Sequence, residues 1–184
     1  MITGNDLADG LLAFALIVIA VVWFVIAYNN LDAAAQRTAQ AWGNVDALLK
    51  QRHDELSRFI DACRPHVQQP PLLDVIEGAR EAAFAARQAR DTAALGLAES
   101  KLGAGLGQLM ALVDARPELA AGDTIAAMRK RLAELEAGLN ERRAIFNDAV
   151  RQNNAALAHF PGNIVALLGG FRAVPPFDAE RGQT

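Results

Sequence analysis

The run LLAFALIVIAVVWFVIA at residues 11–27 constrains this chain more than any other feature, because it holds no charge, no glycine and no proline. Lengthened to residues 7–28, it makes about 33 Å of helix, enough to cross a hydrocarbon core of about 30 Å. Trp23 and Tyr28 lie in its C-terminal part, and Tyr28 stands where an interfacial aromatic belongs. A cleaved signal peptide is the competing reading, since Val25-Ile26-Ala27 resembles a cleavage site. The segment before the run is acidic, with Asp6 and Asp9, and the run is long for a signal core, so a retained anchor is expected. Arg37, Lys50, Arg52 and Arg58 follow the run and no basic residue precedes it. The positive-inside bias therefore puts the large C-terminal part in the cytoplasm and the short tail, residues 1–6, outside.

Beyond the anchor, the composition points to helices. Of 184 residues, 52% are hydrophobic but only 6% aromatic, so the surplus is alanine and leucine, which lose little entropy in a helix. A first stretch, about residues 30–64, continues the anchor with an apolar stripe of Leu31, Ala35, Trp42, Val45, Leu49, Leu56, Phe59 and Cys63. Arg64-Pro65 and Pro70-Pro71 end it, because proline removes a donor and disfavours helix in its predecessor. Helix resumes over about residues 72–115, with Asp91-Thr92 as a possible interrupting cap, and stops at Arg116-Pro117. The last long helix starts near Asp123 as N-cap and runs to about 159, with Ile125, Met128, Leu132, Leu135, Leu139 and Phe146 on its stripe. The fold class is all-α: an N-terminal transmembrane helix followed by an antiparallel bundle of four helices, or of three if the middle stretch is unbroken near 91. The expected divisions are 1–6, 7–28, a bundle over 29–160 and an apolar C-terminal tail over 161–184.

Little in the chain reads as chemistry. Net charge is -3 with both signs interspersed, which gives no polybasic footprint for nucleic acid. Gly103, Gly105 and Gly107 follow no strand and have no phosphate-loop lysine. Gly96, Gly103 and Gly107 share a helical face and are expected to let a neighbouring helix approach. His53, His66 and His159 are scattered, Cys63 and His66 are separated by a proline, and Ser57 and Ser100 sit in no nucleophile motif, so neither a metal, a cofactor nor a catalytic residue is expected.

The informative polar residues lie on or beside the stripes. Arg52 continues Val45, Leu49 and Leu56, and Arg142 continues Leu139, while Asp46, Glu136 and Arg143 flank them. A charge near a core needs a partner, so these residues are expected either to form a polar network between first and last helices, Asp46 with Arg143 included, or to snorkel to water. Asn147 and Asn154, seven positions apart, are poor mid-helix residues and need a local reason, such as bonding a helix end or the C-terminal tail. The apolar residues Ile164, Leu167, Leu168 and Phe171, with Tyr28, are candidates for the membrane surface if the chain returns there.

Several stretches together resemble the LemA family of bacterial membrane proteins. They are Tyr28-Asn29-Asn30-Leu31, Ala41-Trp42, Val45-Asp46, Leu49-Lys50-Gln51-Arg52-His53-Asp54, Ala79-Arg80 and Arg116-Pro117-Glu118-Leu119. The match is fullest at Glu136, Arg143-Ala144-Ile145-Phe146-Asn147-Asp148-Ala149-Val150, Asn153-Asn154, Phe160-Pro161-Gly162-Asn163, Gly170-Phe171 and Phe177. The sequence departs from the family where Phe146 and Asn153 replace tyrosine and Gln51 replaces an arginine. The resemblance implies an outward-facing N-terminus in the bacterial inner membrane and a cytoplasmic bundle of four helices. It implies no particular reaction; one related branch is implicated in building magnetosome membranes, and others sit beside membrane-protease genes.

Two functions remain as expectations. One is a non-enzymatic scaffold that self-assembles as a homo-oligomer and organises the lipid bilayer that holds it. The alternative is a tethered adaptor for a membrane-protein partner such as a protease or an envelope-stress signalling protein.

Overall fold

Proline and one aspartate divide the chain. The structure, a computed structural model, describes residues 4–67, 70–120 and 122–177. Helix α1 runs without a break from Gly4 to Cys63, through Ala27, and gives way to a 3-10 turn at Arg64–His66 that contains Pro65. Helices α2 (Pro70–Gln88) and α3 (Thr92–Asp114) follow. They are separate because Arg90 takes a left-handed φ of 54° and Asp91 caps α3, its carboxylate accepting from the Ala93 and Ala94 amides at 3.1 and 2.9 Å. The middle stretch is thus two helices, and the bundle has the four-helix form. A short helix, α4 (Pro117–Ala120), precedes α5 (Asp123–Ala158). At the start of α5 the Gly122 carbonyl accepts from Ala126, so Asp123 lies inside the first turn rather than at the cap. The apolar tail contains a further helix, α6 (Gly162–Gly169). Among the described residues there is no strand.

The chain forms two compact units. One takes residues 40–148 and those from 175 onward. Its core joins Leu56, Phe59, Ile60 and Cys63 of α1, Leu72, Leu73 and Ile76 of α2, Leu102, Leu109 and Val113 of α3, and Ile125 and Leu132 of α5. Steps of three, four and seven residues, with adjacent pairs at Phe59-Ile60 and Leu72-Leu73, keep each set on one side of its helix, so one stripe per helix faces the core. Ion pairs give the directions. Arg64, just past the end of α1, meets Glu77 in the first half of α2, while Asp46 lies 3.5 Å from Arg87 near the end of α2. Arg52 bonds Glu136, and Trp42 packs on Phe146, so α1 and α5 also run antiparallel.

The other unit takes residues up to 39 and 149–174. Its small core is Ala27 and Leu31 of α1 with Val165 and Ala166 of α6, flanked by Phe24, Ala156, Leu157 and Phe171. Thr38, buried on α1, donates its hydroxyl to the Ala34 and Ala149 carbonyls at 3.0 and 3.3 Å. The turn into α6 requires glycine: a Cβ on Gly162 would lie 1.9 Å from the Ala156 carbonyl oxygen. At the other end Gly170, with φ of 71°, closes α6 in the left-handed region.

The glycine face of α3 is not the one expected. Gly96 is buried, but Gly103 and Gly107 are exposed, and a Cβ on either would meet open space. Gly105 is the close contact, with a Cβ there coming within 2.7 Å of Ile76 Cγ1. The reason is the neighbouring stripe: Leu102 and Leu109 fix which side of α3 faces α2, and Gly105 lies between them on that side. Gly103→Ala should therefore stabilise the protein by up to about 1 kcal/mol through helix propensity. Gly105→Ala should destabilise it, the overpacking cost of about 1–3 kcal/mol exceeding that gain. Denaturant unfolding of the full-length protein in detergent checks both signs.

Candidate functional site

A buried polar cluster lies inside the four-helix unit. Arg52 is only 4% exposed, and its guanidinium is held by two carboxylates. Nη1 donates to Glu99 of α3, and Nε lies 2.8 Å from Glu136 of α5. The adjacent His53 donates from Nε2 to the other Glu99 oxygen at 2.7 Å. Glu99 is 7% exposed, so it is a buried carboxylate with a hydrogen-bond donor on each oxygen. Burial pushes its carboxyl up, but the His53 hydrogen bond and the Arg52 charge pull it down further, and its pKa lies below the ordinary carboxylate value. Glu99 is absent from the set read from sequence, although the Leu95, Glu99, Leu102 spacing carries it on the buried stripe of α3.

The other expected members of the network lie apart from it. Asp46 and Arg143 do not pair: Asp46 faces Arg87 at 3.5 Å, and Arg143 bonds Asn140 at 3.3 Å. The Arg143 guanidinium covers the Phe177 ring, 4.8 Å from its centroid, and its Nε is buried without a hydrogen-bond partner. Arg142 is exposed. The cause is helical phase, since Leu139 and Phe146 face inward with Arg143, the four-step residue, between them, whereas Arg142 turns out. Trp42 adds to this corner, its ring centroid 5.3 Å from Phe146 and 6.1 Å from Phe177.

The two asparagines act as clamps on the extended tail. Asn147 Oδ1 accepts from the Phe177 amide at 2.8 Å, and its Nδ2 donates to the Phe177 carbonyl at 3.1 Å. In the other unit, Asn154 does the same with Val174, at 3.0 and 2.8 Å. Each side-chain amide takes both backbone groups of one tail residue, as a neighbouring strand would.

Among the described residues no group of three or more histidine, cysteine or acidic side chains is arranged to hold a metal. Cys63 is fully buried, and burial pushes its thiol pKa up. A cleft of about 320 Å³ lies between α1 and α2, lined by Lys50, His53, Asp54, Arg80, Glu81, Phe84 and Arg87. Arg80 Nε is buried there without a hydrogen-bond partner.

Arg52→Ala should cost about 3–5 kcal/mol, because it leaves the buried Glu99 with His53 alone, whereas Glu136→Gln, at a half-exposed carboxylate, should cost about 1 kcal/mol or less. Asp46→Ala and Arg143→Ala should be additive in a double-mutant cycle, since their partners differ. The Glu99 carboxyl is depressed in the folded state, so its contribution is complete above the unfolded value of about 4.3 and is lost as pH falls through the folded one. Stability of Glu99→Gln should accordingly fall less steeply than wild type below about pH 4. Asn147→Ala should abolish hydrogen-exchange protection at the Phe177 amide and leave that at Val174, and Asn154→Ala the reverse.

The LemA family matches this chain over residues 41–184. Among individual proteins, the magnetosome protein MamQ of Magnetospirillum gryphiswaldense is 33% identical over 80 residues, 44% of this chain and 29% of that protein. Magnetosome proteins MamQ 1 and MamQ 2 of Paramagnetospirillum magneticum are 34% identical over 83 residues, 45% of this chain and 30% of each of theirs. The matched region thus spans under a third of these relatives. The apolar helix and these similarities together describe a membrane-associated protein. With the family matching well over half its length, the chain belongs to the LemA family.

Proposed function

We propose that the protein is a non-enzymatic structural scaffold of the bacterial inner membrane, anchored once by α1 with its N-terminus outside and its bundle in the cytoplasm, that self-assembles and organises the bilayer around it. The observation that carries this reading is the apolar sleeve of α1. Every residue from 10 to 23 is exposed, among them Leu11, Phe14, Ile17 and Ile19 at more than 60%. An apolar surface on that scale marks a lipid-facing element. The buried polar cluster supports a structural role, since Arg52, His53 and Glu99 are committed to one another rather than poised toward a substrate. Similarity to the MamQ magnetosome proteins supports a part in membrane organisation. The adaptor reading is favoured by one observation, the mixed-charge cleft of α1 and α2, where Phe84 is 52% exposed.

The mass of the full-length protein in nanodiscs separates the two. A uniform multimer supports the scaffold; a monomer that retains other membrane proteins after crosslinking overturns it in favour of the adaptor. Protease added to spheroplasts should leave the bundle intact, and its digestion from outside would reverse the orientation.

A further inference from the structure

The face of α6 that points away from the protein is built as if for lipid. Gly162, Val165 and Ala166 are its buried side, against Ala27 and Leu31 of α1. The opposite side carries Ile164, Leu167 and Leu168, exposed at 48%, 84% and 70%. In water, such positions on a short surface helix would be polar. Both ends of α6 are fastened to aromatics of the apolar run. Phe160, itself 70% exposed, packs on Trp23 with ring centroids 5.3 Å apart, and Phe171 packs edge-on against Tyr28 at 5.3 Å. Trp23 and Tyr28 are about 7.5 Å apart along the axis of α1. The helix therefore lies alongside the last turns of the lipid-facing segment, within the roughly 5–10 Å depth that interfacial helices occupy.

We propose that α6 is a second membrane contact, an interfacial helix that seats Ile164, Leu167 and Leu168 in the headgroup–acyl boundary of the leaflet where α1 emerges, with Phe160 reaching in beside Trp23. The occupant is the bilayer because the patch is continuous with the sleeve: lipid packed around Val22, Trp23 and Ile26 adjoins Phe160 and α6. Exposed Arg172, just past the helix, is placed to meet lipid phosphate. The Asn154 clamp on Val174 holds the chain leaving α6, so the contact is fixed to the protein. The proposal rests on α1 spanning the membrane, and the test separates the two.

The full-length protein carrying single cysteines is spin-labelled in phosphatidylethanolamine–phosphatidylglycerol nanodiscs, and label collision with oxygen and with a water-soluble nickel chelate is measured. Wild type serves as the blank, since Cys63 is buried. Leu167→Cys and Leu168→Cys change exposed side chains, Ile17→Cys reports the span, and Gln88→Cys reports water. The expected result is an oxygen-to-nickel collision ratio at Leu167 and Leu168 at least several-fold above that at Gln88, alongside a high ratio at Ile17. A high ratio at Ile17 with a water-like ratio at Leu167 and Leu168 overturns the interfacial helix and leaves the anchor standing. Labels at Leu167 and Leu168 shielded from both reagents also overturn it, because a protein surface, such as a second copy, then covers the face. A water-like ratio at Ile17 removes the anchor and the proposal with it.

Discussion

A guanidinium taken out of water must be neutralised where it lies, and Arg52 makes that demand at the centre of the four-helix unit. Its charge is met by Glu99 of α3 and Glu136 of α5, and Glu99 is completed by His53 from the same turn of α1. The arrangement ties three helices at one level. Buried ion clusters of this kind give little net stability over an apolar filling, since desolvation offsets most of the attraction. Their effect lies in the alternatives they penalise: sliding α3 by one turn against α1 would strand a buried charge. The apolar layers of Leu, Val and Phe tolerate such slips more easily than the cluster does.

The tail obeys a related requirement. Residues 171–177 form no helix or strand among the described residues, yet the amides and carbonyls of Val174 and Phe177 still need partners. Asparagine supplies both kinds in one side chain. Placing it twice on α5, seven residues apart, fastens the chain while Phe177 packs between Trp42 and Arg143. The expense of asparagine inside a helix is thereby accounted for, and it follows that the family landmark at Phe177 is a packing residue.

The family assignment and the local structure meet at the same residues. The resemblance to LemA proteins stands on short matched stretches, and the structure gives most of them mechanical work. Arg52, His53 and Glu136 belong to the polar cluster, Trp42 and Phe146 to the aromatic corner, Asn147 and Asn154 are the clamps, and Gly162 makes the tight turn into α6. These stretches are points of attachment between helices, a tail and an apolar surface.

Composition and residue spacing determined the helical class, the apolar run and most of the buried stripes of α1 and α5, because those depend on one helix at a time. Leu31, Val45, Leu49, Leu56 and Phe59 are buried as their spacing dictates, as are Leu132, Leu135, Leu139 and Phe146. The cap at Asp91 was legible for the same reason, although its weight against an unbroken helix was not; the left-handed Arg90 decided it. Partners were another matter. That Asp46 takes Arg87, that Arg52 takes Glu99, and that Gly105 rather than Gly103 and Gly107 meets α2 depend on the rotation and level of one helix against another. The apolar face of α6 could be read as a tail from composition, but its seat beside Trp23 and Tyr28 could not. Spacing fixes which side of a helix is apolar; only packing in three dimensions fixes what that side touches.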